Sequence, residues 1–174
     1  MQFETLFRPA RENPASIALI GAGEFGMSLI AQSRRMQGLV VKAVADKDLD
    51  RVASTLAGMG IAARRCDSEA AAQSALAAGE IALCGSVSDL LSLPIDMVVE
   101  ATGDAEAGAR FALAAIEVGR GVTMVTKEAE CVVGPLLAAK ARAAGVPYTL
   151  VEGDQPALLI GLISWARTLG LPII

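Results

Sequence analysis

The feature that most constrains this chain is a change of periodicity near residue 20. Residues 16–20 (SIALI) form an apolar run of strand length. Gly21-Ala22-Gly23-Glu24-Phe25-Gly26 then sets three glycines at G-x-G-x-x-G spacing. From Glu24 to Met36 the apolar residues Phe25, Met27, Leu29, Ile30 and Met36 mark a helix that opens inside the glycine turn. A second apolar run, residues 39–45 (LVVKAVA), ends at Asp46, 20 residues after Gly26. Two buried strands joined by a helix of this length must lie parallel, with the helix packed on one face of the pair.

The rest of the chain repeats the alternation. A helix over 49–59, a strand over 61–65 and an Ala-rich helix over 68–78 are expected in the first half. In the second half a strand over 95–101 is closed by Thr102 and Gly103. A helix over 106–118 is stopped by Gly119 and Gly121, and a strand follows over 121–126. A helix over 134–144, a strand over 147–151 and a helix over 156–168 complete the pattern, the last read as buried and followed by an extended segment. The expected architecture is α/β, a doubly wound parallel sheet of Rossmann type occupying residues 15–174. Residues 1–14 form a polar arm with Phe3 and Phe7 as anchors.

Each part of the glycine segment has a physical task. Gly21 allows the tight turn, Gly23 lets a pyrophosphate approach the backbone, and Gly26 lets the helix sit close to the strand. Glu24 and Phe25 complete the loop, and the helix N-terminus offers amide donors and a positive dipole. The competing reading, a glycine turn without a ligand, is disfavoured by the complete strand–turn–helix context. An acid in the position of Asp46 accepts from the adenosine ribose hydroxyls and favours NAD. Lys47, with Arg51 one helical turn on, either lies on a solvated helix face or binds a 2′-phosphate. The cofactor is therefore NAD or NADP, with the choice open.

Composition excludes several alternatives. The formal charge is −4, and Arg34, Arg35, Arg64 and Arg65 form only dispersed pairs, so no nucleic-acid partner is expected. No histidine is present, which removes Ser-His-Asp and Cys-His schemes and imidazole-based zinc sites. Cys66, Cys84 and Cys131 are widely separated and lack a CxxC pair. They read as reduced, mostly buried thiols, and a cytoplasmic location is expected. Cys131 is expected to pack rather than react. The apolar run 156–174 is near the length of a membrane span, but Arg167, Gly161, Gly170 and Pro172 interrupt it, so no membrane is expected.

Several segments together resemble known enzymes. Val98-Val99-Glu100-Ala101-Thr102-Gly103 and the segment from Gly121 to Glu128 (GVTMVTKE) resemble the N-terminal domain of homoserine dehydrogenase. Glu128-Ala129-Glu130, Val133-Gly134-Pro135-Leu136 and Glu152-Gly153-Asp154-Gln155-Pro156 are closer to deoxyxylulose-phosphate reductoisomerase-like oxidoreductases, in which a SAF domain follows. The resemblance covers roughly residues 10 to 174. It implies NAD(P)-dependent hydride transfer to or from a small polar, even phosphorylated, substrate, and a substrate domain beyond this chain. Homoserine dehydrogenases carry an Asn-Lys pair near the nicotinamide; here the region reads Thr126-Lys127-Glu128.

In an open α/β sheet ligands lie beyond the carboxyl ends of the strands. Thr102 and Gly103 are expected beside the cofactor ribose and nicotinamide. Lys127 is a candidate to polarise a substrate carbonyl or orient the nicotinamide ribose, unless it is a plain surface lysine at a helix start. Glu128, Glu130, Glu152 and Asp154 supply carboxylates for proton transfer or a divalent cation, with Glu152 and Asp154 ahead. Trp165 is assigned to packing on the sheet or on a partner domain, and homo-oligomerisation is an open expectation of the apolar C-terminus. The alternative to an oxidoreductase is a non-catalytic dinucleotide-binding regulatory or scaffold module on the same sheet.

Overall fold

The computed structural model describes residues 12–151 and 157–173. Phe3, Phe7 and the Glu152 to Pro156 segment, Asp154 included, lie outside the described residues. Seven strands alternate with helices. They are β1 (Ala15–Ile20), β2 (Leu39–Ala45), β3 (Ala63–Cys66), β4 (Ile81–Cys84), β5 (Met97–Glu100), β6 (Gly121–Met124) and β7 (Tyr148–Leu150). Between and after them stand α1 (Glu24–Ser33), α2 (Leu49–Gly58), α3 (Glu69–Ala77), α4 (Val87–Leu91), α5 (Ala105–Glu117), α6 (Lys127–Ala144) and α7 (Ala157–Thr168). The strands form one sheet in the order β3-β4-β2-β1-β5-β6-β7, every neighbouring pair parallel. This is the doubly wound α/β fold expected from the alternation.

Side-chain alternation along the strands builds a core on each face. Ile17, Leu19 and Val44 point to one face, where Met27 and Ile30 of α1 and Val52 and Leu56 of α2 cover them. Ala18, Ile20, Ala43 and Ala45 point to the other, beneath α3, α4, α5 and α6. That second layer is rich in alanine: Ala72, Ala75, Ala112, Ala115 and Ala141 are all buried. Small residues let the helices approach the sheet closely, so few aromatics are needed.

Four expectations are corrected. The strand β4 and the short helix α4 fall in a stretch to which the sequence reading gave no element. Strand β4 inserts between β2 and the expected third strand, which becomes the sheet edge as β3. The reason is length: Ile81–Cys84 has only four residues, all buried, too few to show a period. Helix α6 starts at Lys127 rather than at residue 134 and carries Pro135 inside it. Pro135 lacks only the N–H that would reach the Cys131 carbonyl, and both residues are exposed, so water can serve that carbonyl. The last helix, read as buried, leaves Leu158, Leu159, Leu162 and Trp165 exposed. Among the described residues none of this helix joins either core cluster. Cys131, expected to pack, is exposed, whereas Cys66 and Cys84 are buried. Among the described residues no helix is long and apolar enough to cross a membrane.

Candidate functional site at the carboxyl edge of the sheet

The winding reverses at β1, whose neighbours β2 and β5 lead the chain to opposite sides. The loops after β1, β2, β4, β5 and β6 therefore converge at one edge. The glycine loop leaves β1 there, pinned by Gly21 N–H donating to the Ala45 carbonyl at 2.8 Å. Gly21 has φ +91°, and a Cβ on it would stand 2.5 Å from the Ala101 carbonyl oxygen. A Cβ on Gly26 would stand 2.5 Å from the Gly21 carbonyl oxygen and 2.8 Å from Leu19 Cδ2. Those two glycines are required by the protein's own packing. Gly23 is different: a Cβ there would meet nothing within 4 Å. Gly23 is the N-cap of α1, and no side chain caps the helix. Glu24 and Phe25, also assigned to the loop, are both exposed.

Asp46 follows β2 and turns its carboxylate onto the loop. Its Oδ2 accepts from Ala22 N–H at 2.7 Å. Its Oδ1 accepts from Asp48 N–H at 2.9 Å and from Arg51 Nη2 at 3.3 Å. Arg51 Nη1 also donates to the Ala22 carbonyl at 3.0 Å, so acid and guanidinium together grip both polar groups of one peptide residue. Beside them opens a cleft of about 470 Å³, lined among others by Gly21, Asp46, Lys47, Gly85, Ser86 and Thr102. Gly85, Ser86 and Val87 were missed together with β4. The usable signal was the Ser86-Val87-Ser88-Asp89 segment, a helix-capping pattern after an apolar run. Ser86 Oγ indeed accepts from Asp89 N–H at 3.1 Å.

A second carboxylate, Glu100, ends β5 and is 0 % exposed. Its Oε1 accepts from Thr102 N–H at 2.8 Å and from the Thr102 hydroxyl at 2.6 Å. Gly103 N–H donates to Thr126 Oγ1 at 3.0 Å, tying the loop after β5 to the loop after β6. Glu100 Oε2 has no hydrogen-bond partner among the described residues. A Cβ on Gly108 of α5 would stand 2.9 Å from that oxygen, so glycine makes room for the acid. Sequence reasoning quoted Glu100 within a motif and gave it no role.

Thr102 and Gly103 thus reach the edge as expected, and Lys127 stands exposed at the first residue of α6. Glu128 is exposed in the same turn. Glu130 is turned inward, lying over Gly134 and accepting from the Tyr148 hydroxyl. Burial first, and the Glu130 carboxylate second, push the Tyr148 hydroxyl above its ordinary value. This pair joins α6 to β7 and serves the scaffold. No group of three or more acids or cysteines able to hold a metal occurs among the described residues.

Comparison with known proteins returns structures rather than sequences. No family model matches the chain, and no curated protein matches it. Among solved structures, the WlbA dehydrogenase from Bordetella pertussis, in complex with NADH and UDP-GlcNAcA, is similar over 91% of this chain and 43% of its own, with TM-score 0.60 and 17% identity. The S. aureus homoserine dehydrogenase is similar over 79% of this chain and 31% of its own, with TM-score 0.55 and 20% identity. An oxidoreductase from Agrobacterium radiobacter, in complex with NAD+, L-tartaric acid and magnesium, covers 80% of this chain and 36% of its own, with TM-score 0.58 and 16% identity. At these identities the likeness is one of fold. The chain spans less than half the length of each of these structures.

Proposed function

We propose that this chain is the dinucleotide-binding domain of an NAD(P)-dependent oxidoreductase. The observation that carries the reading is the contrast within the glycine loop. Gly21 and Gly26 are closed by the protein's own atoms, whereas the Gly23 position is open at the uncapped start of α1. Packing alone gives Gly23 no reason to lack a side chain; a pyrophosphate laid against that backbone does. Gly21, Gly23, Glu24, Phe25 and Gly26 would line the pyrophosphate side. Asp46, Lys47 and the Gly85-Ser86 turn would line the adenosine side, and Thr102, Gly103 and Lys127 the nicotinamide side. The cofactor supplies the hydride. Lys127 polarises the carbonyl of a small polar substrate, with Glu152 and Asp154 as the candidates for proton transfer. Support comes from neighbours of the same fold whose structures contain NADH or NAD+. We assign cofactor binding to these residues and turnover to the addition of a substrate-binding unit.

Gly23→Asp tests the reading. Asp is a favoured N-cap, and the position is open with φ −70°, so folding is retained. Its carboxylate would occupy the phosphate position and repel the pyrophosphate. Calorimetric titration with NADPH and NADH should show binding to the native chain and a loss of about a hundredfold in the variant. Native-like affinity in Gly23→Asp would refute the assignment.

A further inference from the structure

Resting on the dinucleotide reading, we propose that the rim beside β2 is a subsite for the 2′-phosphate of NADP(H). Lys47 and Arg51 are its specificity-determining residues, and Asp46 is a clamp on the glycine loop. A reader of bare ribose hydroxyls needs a carboxylate with lone pairs turned to the ligand. Asp46 is poorly placed for that. Its side chain is 9% exposed, and it already accepts from Ala22 N–H, Asp48 N–H and Arg51. Its charge is matched by the Arg51 guanidinium at 3.3 Å.

The groups that do face solvent at this rim include two cations. Lys47 is exposed and lines the cleft. The Arg51 side chain is 43% exposed; it spends one nitrogen on the Ala22 carbonyl and one on Asp46. A guanidinium has five N–H donors in a fixed fork, so Arg51 keeps donors for a phosphate oxygen while its anchor holds it in place. Asp104 also lines the cleft and caps α5 by accepting Ala107 N–H at 2.8 Å, and Asp48 stands with its Oδ2 4.0 Å from Arg51 Nε. Its other oxygen caps α2 by accepting Arg51 N–H at 3.0 Å. Two acids and two cations leave this rim neutral overall, and Lys47 is the cation on the cleft wall, where it would meet an incoming dianion. Ser86 lines the same cleft and offers a hydroxyl.

The experiment separates this proposal from the reading beneath it. The full chain is titrated calorimetrically with NADPH and NADH, and with 2′,5′-ADP and ADP as fragments that differ in phosphate placement. NADPH should bind at least about tenfold more tightly than NADH, and 2′,5′-ADP more tightly than ADP. Lys47→Ala, an exposed change, should erase most of that difference by weakening NADPH at least about fivefold more than NADH. Raising the salt should weaken NADPH more than NADH. Because Arg51 also anchors the loop, Arg51→Lys is used beside Lys47→Ala, with unfolding followed in parallel. NADH equal to or tighter than NADPH overturns the subsite while the dinucleotide reading stands. A preference that survives in both variants overturns the roles of Lys47 and Arg51. Absence of binding by either cofactor at millimolar concentration overturns the dinucleotide reading and the subsite with it.

Discussion

Two carboxylates flank the carboxyl end of β1, and they hold their loops by different means. Asp46, past β2, is near the surface and shares its charge between backbone amides and Arg51. Glu100, at the end of β5, is fully buried and gives one oxygen to both donors of Thr102, while its other oxygen packs against Gly108. Each acid accepts a backbone N–H from a loop that lines the cleft. Acids at this edge thus shape the cleft by holding the loops that line it. The Asp46 side is charge-neutralised and solvent-facing, so it can be retuned by substitution. The Glu100 side is buried, so it fixes shape.

The comparison can be broken from the largest effect downward. Gly21 sits between the two acids, touching Ala101 on the Glu100 side and bonded to Ala45 on the Asp46 side. Gly21→Ala forces a side chain into φ +91° and onto a carbonyl at 2.5 Å. It should cost about 2–5 kcal/mol in urea unfolding, from about 1–2 for the backbone and 1–3 for overpacking. A loss below 1 kcal/mol would show that the loop relaxes freely. Glu100→Ala takes the acceptor from the half-buried Thr102 N–H, leaves its hydroxyl the Asp104 carbonyl at 3.3 Å, and should cost about 1–3 kcal/mol. Asp46→Asn keeps an acceptor for Ala22 and loses the ion pair at a half-exposed rim, so about 1 kcal/mol is expected. Equal costs for Glu100→Ala and Asp46→Asn would erase the distinction between the two acids.

Alkaline pH probes both sides of β1 without mutation, Cys84 on the Asp46 side and Tyr148 on the Glu100 side. Burial, then the Glu130 hydrogen bond and the charges of Glu130 and Glu100, raise Tyr148 above its ordinary 10.0. Burial likewise pushes Cys84 from 9.0 up to about 11. A raised folded value means that the unfolded chain releases its proton first. Stability is therefore fully present below about pH 9 and is lost as pH rises from there through the folded values. The loss should be about 1 kcal/mol between pH 9 and 10, dominated by Cys84. Cys84→Ser or Cys84→Ala should flatten that slope, as measured by urea midpoints at each pH. The smallest effect belongs to the surface: breaking the Arg65–Asp50 pair, both exposed, should change stability by about 0.2–1 kcal/mol and vanish in high salt.

Much of this was legible before any coordinates. The glycine spacing, the strand before it and Asp46 after β2 specify the loop because each is a local requirement, met within 26 residues of Gly21. The long runs of β1, β2 and α5 were readable for the same reason. What was not legible has a common cause. Strand β4 is too short to show a period, and its place between β2 and β3 depends on a crossover that skips a position. The Gly85-Ser86 wall was missed with it. Glu100 looked like one polar residue ending an apolar strand, and only its neighbours Thr102 and Gly108 reveal its part.

The sequence by itself determined that the chain is a parallel α/β sheet with a glycine-loop helix, because hydrophobic period and glycine placement act over one or two elements. Only the tertiary structure decided which glycine is open, which acid is buried, and that Asp46 and Arg51 both reach back to Ala22, across gaps of 24 and 29 residues. Those facts rest on close approach between distant segments: a Cβ at Gly21 would meet the Ala101 carbonyl oxygen at 2.5 Å, and one at Gly23 nothing within 4 Å.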